Sequence, residues 1–167
     1  MDRLWQQHSE APRALSISSC AQTSTASSIR TSVRVAETTS GLLDTSVVID
    51  LDVIAPDDLP AEASVSAVTI AELSAGPHAT DDPAERARRQ DRLQQLESWM
   101  EPIPFDGDCA RAYGRIYAAV VAAGRQPRRR ATDLLIAATA LAAGMPLYTR
   151  NGGDFAGLEK LLTVVAV

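Results

Sequence analysis

Short apolar runs alternate with longer segments of helical periodicity from Leu42 to the end of this chain. The first run, residues 42–45, predicts a buried strand that leads into a short helix over residues 47–53. A second run near residues 64–68 predicts another strand, and the helix after it ends at Gly76. Strands that alternate with helices in this way are typical of βαβ units built around a parallel sheet.

The rest of the chain continues the same alternation. Charged helical periodicity begins at Pro83 and predicts a long helix to about residue 100. Two further helices are predicted over residues 108–123 and 132–143, the second almost entirely apolar and therefore central. Short strands are predicted over residues 102–105, Leu147–Thr149 and 162–167. We therefore expect an α/β fold with a central parallel sheet of about four to five strands flanked by helices.

Length and composition fit one domain with an aliphatic core. The chain has 167 residues, of which 46% are hydrophobic but only 4% aromatic. A domain of this length buries a sizeable core without disulfide or metal staples. A core built on Ala, Leu, Val and Ile agrees better with an α/β or all-α domain than with a β-sandwich. We assign this domain to residues 41–167.

Residues 1–40 differ in kind from the predicted domain. They are rich in Ser and Thr, and they lack the apolar periodicity of the rest. A segment of this composition buries too little apolar surface to order itself, so we predict a disordered extension. Its Arg and Ser content also resembles an organellar transit peptide, but its apolar residues make a poor amphipathic helix. We prefer an extension, or a start codon assigned too far upstream, to a targeting segment.

Net charge and cysteine usage narrow the class of protein. The formal net charge is −5, which argues against binding nucleic acid through the whole surface but not through a local basic strip. Cys20 and Cys109 lie far apart without a CxxC motif, so neither a disulfide framework nor a zinc ribbon is available. No apolar run approaches the roughly 18 residues that a membrane-spanning helix needs. We expect a soluble, cytoplasmic protein with no membrane partner.

Four acidic residues stand in short apolar frames at the ends of the predicted elements. Asp44 ends the first strand, and Asp154 follows the strand Leu147–Thr149. Ligands bind outside the carboxyl ends of strands in open α/β sheets, so both residues are site candidates. Asp133 lies in the first turn of the apolar helix, where the helix dipole stabilises a negative charge. Glu72 lies among apolar neighbours, where a partly buried carboxylate needs a partner.

The chemistry of these four acids indicates a bound cation. Each acid alone has an ordinary explanation, such as a strand end, a helix cap or a loop acid. Two carboxylates about 4 Å apart, however, repel by roughly 4 kcal/mol at an effective dielectric near 20. A converging group of four therefore requires bound protons or a cation. Oxygen ligands without a nearby cysteine or histidine suit Mg²⁺ or Mn²⁺ rather than zinc.

Four segments of the chain resemble a known family when their order and spacing are considered together. LLDTSVVI, TIAEL, TDLLIAATAL and TRNGGDF look like the motifs of PIN-domain ribonucleases, specifically the VapC toxins of bacterial VapBC toxin–antitoxin pairs. The resemblance covers about residues 42–167. It implies a Mg²⁺-dependent endoribonuclease, with Mn²⁺ as a substitute, that inhibits translation and growth. The residues it assigns to the catalytic, metal-binding site are Asp44, Glu72, Asp133 and Asp154.

Three polar residues fit supporting roles around these acids. Ser46 and Thr149 are suited to hydrogen bonds with the acids, and Asn151 matches the frequent Asn of the last motif. Ser46 stands where many members carry Asn, so the hydrogen bonding around the acids departs from the family pattern while the acids themselves match it. From the residues alone, Thr45 and Ser46 are candidates either to cap the next helix or to hold the Asp44 carboxylate.

The resemblance also implies partners. Similar proteins are homodimers that a VapB antitoxin neutralises, with the extended C-terminal segment of the antitoxin lying along the active-site groove. Apolar grooves beside the helix of Glu72 and beside residues 93–100 are expected to receive such a partner.

RNA is the implied substrate, and a basic stretch stands immediately before Asp133. Basic residues at the rim of an acidic metal site hold flanking phosphates, and this predicts weaker binding at higher salt. A solvated basic loop is the ordinary alternative for such a stretch. The candidate RNA contacts are Arg128, Arg129 and Arg130, with Arg125 nearby.

Two other functions compete with the nuclease. A phosphatase of the haloacid-dehalogenase type also starts with a strand that ends in Asp, but it needs a second acid two residues later, where this chain has Ser46. A catalytically inactive PIN-fold module that binds RNA or an antitoxin keeps the fold and tolerates the loss of any acid. The intact set of four acids favours the nuclease, and the inactive module stays the alternative.

Overall fold

Residues 40–167 are described by the structure, a computed structural model, with the exception of the Arg129 side chain. The strands in this part of the chain are β1 Ser40–Leu43, β2 Glu62–Ser64, β3 Leu147–Thr149 and β4 Val164–Ala166. All four are parallel and form one sheet in the order β2-β1-β3-β4. The predicted parallel sheet is therefore confirmed, with four strands.

Helices flank the sheet and begin at residues that cap them. In the described residues they are α1 Thr45–Ile49, α2 Ala67–Ala75, α3 Pro83–Trp99, α4 Gly107–Ala122 and α5 Ala131–Ala143. The Ser66 hydroxyl accepts the backbone N–H of Thr69 ahead of α2, and Asp106 accepts two backbone N–H groups ahead of α4. None of the helices in residues 40–167 is long and apolar enough to cross a membrane.

The two central strands, β1 and β3, are buried on both faces of the sheet, and this agrees with their consecutive apolar residues. Leu42 and Leu147 belong to a cluster formed with α4 and α5, in which Ile116 and Ile136 are fully buried. Leu43 belongs to a second cluster, which is formed with side chains of α1, α2 and α3. Because successive side chains of a strand point to opposite faces, these two clusters cover the two sides of the sheet.

The first two strands differ from the prediction at their ends. The first strand is predicted over residues 42–45, but β1 ends at Leu43 and Thr45 already belongs to α1. The second is predicted over residues 64–68, but β2 ends at Ser64 and α2 begins at Ala67. The capping hydroxyl of Ser66 starts the helix earlier than the apolar run suggests.

The strand predicted over residues 102–105 is reduced to a single bridge centred on Ile103. The N–H of Ile103 donates to the carbonyl of Val65 at 2.8 Å. Pro102 and Pro104 on either side have no N–H to donate, so the pairing does not continue into a strand. The last predicted strand, residues 162–167, is present as the shorter β4. The disordered extension predicted for residues 1–40 lies outside the described residues, apart from Ser40.

Strand order sets the position of the candidate site. Leu43 and Tyr148 are paired neighbours in the sheet, so the carboxyl ends of β1 and β3 lie side by side. Asp44 follows β1 directly, and the segment that carries Asp154 follows β3. The fold therefore gathers residues that are about a hundred positions apart in sequence at one edge of the sheet.

We expect Gly41→Ala to lower the free energy of unfolding by about 1–3 kcal/mol, the usual cost of overpacking a core. A Cβ at residue 41 would lie 2.7 Å from Cδ2 of the buried Tyr148 ring and 3.1 Å from Cγ of Pro60. Gly114→Ala is the matched control, because a Cβ there meets nothing within 4 Å on α4. The free energy of unfolding of that control should rise by about 0.5–1 kcal/mol, because alanine favours a helix more than glycine does. Urea unfolding followed by circular dichroism measures both, and equal stabilities would contradict the packing argument.

Candidate active site

Asp44 is held at the junction of β1, β3 and α1. Its side chain is buried, with 5% of the residue exposed. Its backbone N–H donates to the carbonyl of Tyr148 at 2.9 Å, which continues the pairing of the two strands. Its own carbonyl accepts the N–H groups of Val47 and Val48, which starts α1. The backbone at Asp44 is thus fixed on both sides before the side chain makes any contact.

Two hydroxyl groups hold the Asp44 carboxylate. Ser46 Oγ donates to Asp44 Oδ2 at 2.7 Å, and Thr149 Oγ1 donates to the same oxygen at 2.8 Å. Ser46 Oγ in turn accepts the backbone N–H of Arg150, and Thr149 Oγ1 accepts that of Asn151. Because a hydroxyl has one proton, these accepted bonds fit both groups as donors to Asp44. The second carboxylate oxygen, Oδ1, is therefore not needed to hold the side chain in place.

Glu72 is positioned by a residue that sequence reasoning assigned elsewhere. Thr45 Oγ1 donates to Glu72 Oε2 at 2.5 Å, and both side chains are half-buried. The sequence suggested Thr45 as a helix cap or as a partner of Asp44. Instead the first turn of α1 directs one hydroxyl back to Asp44, from Ser46, and the other to α2, from Thr45. No sequence signal links Thr45 to Glu72, since the contact depends on how α1 and α2 pack.

Asp133 lies in the first turn of α5, where the negative charges of the other three acids affect its pKa. Its pKa is raised from 3.8 to about 6, first by burial and then by the negative charges of Asp44, Asp154 and Glu72. The positive charge of Arg130 opposes this increase. The four acids that the sequence selected therefore converge closely enough to influence the protonation of one of them.

Asp154 lies in a 3-10 turn, Gly152–Phe155, that two arginines hold from outside. Arg130 Nη1 lies 2.8 Å from Asp154 Oδ1 and also donates to the Asp154 carbonyl at 2.9 Å. Arg125 donates to the carbonyls of Gly153 and Ala156 at 2.9 and 2.8 Å. Both guanidinium groups therefore stabilise the turn that presents the Asp154 carboxylate.

The basic stretch thus divides into residues with different surroundings. Arg125 and Arg130 contact the turn that carries Asp154, whereas Arg128 is exposed on the 3-10 turn Pro127–Arg130. The Arg129 side chain lies outside the described part of the structure. Sequence reasoning grouped these residues as phosphate contacts, and it had no signal for the internal contacts of two of them, which depend on a turn some 25 residues away.

The donor chemistry of the four acids fits a hard divalent cation. All the candidate ligands are carboxylate oxygens, as Mg²⁺ and Mn²⁺ prefer. Among the residues that the structure describes, however, no three acidic, histidine or cysteine side chains form a finished metal cage. Asp154 is instead paired with Arg130, and the negative charges of Asp44, Asp154 and Glu72 all raise the pKa of Asp133. Metal binding by these residues therefore requires the carboxylates to close around the ion.

The fold and the converging acids define a protein of the PIN domain family. Residues 41–161 match the PIN domain, and the chain belongs to that family. Within it, the chain is 35% identical over 128 residues to Ribonuclease VapC5 of Mycobacterium tuberculosis, covering 75% of this chain and 92% of that protein. It is also 41% identical over 103 residues to Ribonuclease VapC8 of the same species, covering 60% of this chain and 89% of the relative.

Two solved structures are similar to this chain over most of its length. A chain in the crystal structure of VapBC-5, a member of the VapBC family of toxin–antitoxin systems from M. tuberculosis, matches with a TM-score of 0.67 and 33% identity. That match covers 77% of this chain and 99% of the other. A chain in the structure of FitAcB from Neisseria gonorrhoeae matches with a TM-score of 0.57 and 27% identity, covering 74% and 94% of the two chains.

The raised pKa of Asp133 predicts that Asp133→Asn increases the free energy of unfolding of the metal-free protein, and that the increase depends on pH. Folding raises this pKa, so the folded state binds protons more tightly than the unfolded chain and loses stability as the pH rises from 3.8 to about 6. The neutral amide avoids that loss. At pH 7.5 we expect Asp133→Asn to raise the free energy of unfolding by about 1 kcal/mol. This is less than the full pKa shift would give, because solvent screens the partly exposed carboxylate.

At pH 4 the same substitution should give almost no gain, because the carboxyl group is then protonated in the folded protein. Thermal unfolding in EDTA at the two pH values measures this difference. Asp57→Asn serves as control, since it removes one negative charge at an exposed position in the turn Pro56–Asp58. A gain that is equal at pH 4 and pH 7.5 would count against the electrostatic explanation.

Proposed function

We propose that this chain is a metal-dependent endoribonuclease that acts as the toxin of a VapBC toxin–antitoxin pair. The observation that carries the proposal is the convergence of Asp44, Glu72, Asp133 and Asp154 at the carboxyl ends of β1 and β3. Relatives at 35% and 41% identity are named as ribonucleases, and they support the choice of RNA as substrate. By cutting RNA, such an enzyme inhibits translation and growth.

Mg²⁺ is the cofactor that this group of acids fits best, with Mn²⁺ as a substitute. When bound, a divalent metal lowers the pKa of a water molecule and stabilises negative charge on a reacting phosphodiester. The protein contributes carboxylates that are held near one another before an ion binds, and a small movement closes them around it. Two hydroxyls hold Asp44, Thr45 holds Glu72, and Arg130 holds the turn of Asp154. Asp133, at the start of α5, lies near the charges of the other three.

The exposed Arg128 and its neighbour Arg129 are the proposed contacts for phosphates that flank the cut. Arg128 extends from the turn Pro127–Arg130, directly before the helix that begins near Asp133. Because the whole chain is acidic, attraction of RNA depends on such local positive charge. We therefore infer that cleavage weakens as the salt concentration rises.

A VapB-type antitoxin is the proposed partner. The relative VapBC-5 is a toxin–antitoxin system, and its structure supports this choice. An open cleft of about 390 Å³ lies where α2 meets the end of α3, with Ile70, Met100 and Pro102 beside Glu97 and Glu101. A partner segment with apolar side chains and flanking basic residues complements this lining. The cleft lies beside the helix of Glu72 and the end of residues 93–100, where the sequence predicted apolar grooves for a partner, although its lining also includes two glutamates.

A second copy of the chain is the proposed partner for α4. Tyr117 and Val121 lie one turn apart on this helix and are 37% and 52% exposed. Tyr113, a further turn back, contacts the Tyr117 ring at a centroid distance of 6.1 Å. This outward stripe of apolar side chains is suited to pairing with the same stripe of another copy in a homodimer.

The nuclease proposal predicts that purified protein cuts a labelled RNA pool into discrete fragments with Mg²⁺ and not with EDTA. Asp44→Asn should lower the rate about a hundredfold or more, as loss of a group that stabilises a reacting charge commonly does. Asp57→Asn, with the same loss of charge at an exposed site, should keep the wild-type rate. Mg²⁺ should also raise the melting temperature of the wild type but not of Asp44→Asn.

The outcomes separate the nuclease from its alternative. Cleavage that persists in EDTA and in Asp44→Asn would indicate a contaminating nuclease. RNA or antitoxin binding without cleavage in any condition would support the catalytically inactive PIN-fold module instead.

Two substitutions should separate the two protein partners. Val121→Glu places a charge in the stripe on α4 and should reduce the mass in solution from twice 17.8 kDa to the monomer value, while capture by the antitoxin persists. Ile70→Asp, in the cleft beside α3, should weaken capture by the antitoxin at least about tenfold and leave the dimer intact. Light scattering and co-purification measure the two properties, and each variant is the control for the other. A monomeric wild type would refute the dimer.

A further inference from the structure

A cavity of about 300 Å³ opens beside Asp154, between the end of α4 and the start of α5. Its lining combines apolar side chains, one amide, two guanidinium groups and one carboxylate. The two guanidinium groups also hold the turn of Asp154, whereas the apolar side chains and the amide have no part in holding the four acids. The cavity is lined by Val120, Arg125, Gln126, Pro127, Arg130, Leu134 and Asp154.

The apolar part of the cavity is rigid because it belongs to the core. Val120 and Leu134 are 6% and 1% exposed and pack in the cluster between α4 and α5. Pro127 is also buried, and its ring restricts the backbone at the start of the turn. The cavity is therefore formed before any ligand arrives, as most ligand sites are.

The cationic part is also fixed in place. Arg125 and Arg130 both donate to carbonyls of the turn that carries Asp154. A guanidinium group has five N–H donors, and these contacts engage only some of them. The remaining N–H donors are the groups that a ligand in the cavity would contact.

We propose that this cavity binds one unpaired nucleobase of the RNA, next to the phosphodiester that is cut. This inference rests on the proposed nuclease function and specifies the substrate of that same site. A phosphate alone makes no use of an apolar lining, and two guanidinium groups outweigh the single carboxylate of Asp154, so the cavity as a whole repels a metal ion. A nucleotide uses all three kinds of chemistry, because its base is flat and apolar on its faces, polar at its edge, and attached to a phosphate.

Gln126 is the specificity-determining residue in this arrangement. It is exposed and lines the cavity, and an amide has both the donors and the acceptor that the edge of a base requires. Asp154, at the rim, connects the cavity to the acids, so the base that enters is adjacent to the reacting phosphate. Single-stranded RNA is the substrate class that this geometry selects, since a paired base cannot reach into a cavity.

Cleavage of a randomised RNA library, followed by sequencing of the ends, tests the proposal. Wild-type protein should prefer one base at a single position beside the cut. Gln126→Ala should reduce that preference about fivefold or more, the value of one lost pair of base-edge hydrogen bonds, and should still cut RNA. Gln94→Ala, which removes an exposed glutamine from α3, should keep the wild-type preference. No base preference in the wild type, or an unchanged preference in Gln126→Ala, would overturn the proposal.

A second measurement tests whether the cavity binds a nucleobase, and it does not depend on RNA cleavage. The four ribonucleoside 5′-monophosphates are titrated at millimolar concentration into metal-free ¹⁵N-labelled protein. At least one nucleotide should shift the side-chain signals of Gln126, Arg125 and Arg130, and Gln126→Ala should weaken that binding. If none of the four shifts these signals, the cavity is not a nucleobase site even if the protein cuts RNA. If the signals shift but no RNA is cut, the nuclease proposal fails while the base site stands.

Discussion

Burial of the Asp44 carboxylate is the constraint on which the rest of the site depends. A carboxylate removed from water loses stabilisation unless hydrogen bonds replace its hydration. Ser46 and Thr149 supply two such bonds to one oxygen, and they come from α1 and from β3. The site is therefore complete only when β1 and β3 are paired in the observed register. Neither strand alone carries the acid and both of its donors, so Asp44 is held in this way only in the folded sheet.

The fixed charge of Asp44 determines how the other acids are arranged. Its field contributes to the raised pKa of Asp133, together with those of Asp154 and Glu72. A hydrogen bond from Thr45 keeps Glu72 in position despite this repulsion, and an ion pair with Arg130 does the same for Asp154. The result is a group of carboxylates that lie close to one another but do not yet form a complete metal site. Such a group gains free energy when a cation binds, since the ion removes the repulsion that each acid otherwise feels.

The order of elements and the four acids could be predicted from the sequence because both leave local signals. Apolar alternation locates β1 and β3, and each acid stands in its own short motif. The missed features depend on contacts between distant segments. The bond from Thr45 to Glu72 requires the packing of α1 on α2, and the contacts of Arg125 and Arg130 require a turn that follows β3. The end of β2 was misplaced for a local reason, since Ser66 caps a helix within an apolar run that also suits a strand.

The two held arginines explain how an acidic chain can present a defined surface to a polyanion. With a net charge of −5, the protein does not attract RNA over its whole surface. Arg125 and Arg130 place positive charge beside the acids, and their bonds to backbone carbonyls prevent it from moving. Fixed charges need no reorganisation when a ligand arrives, which is the condition under which electrostatic stabilisation is strongest. Arg128, by contrast, is exposed, so in the proposed function it would attract phosphate without fixing its position. Under the proposed function, an RNA strand would be attracted by both kinds of arginine at the surface but aligned only at the turn of Asp154.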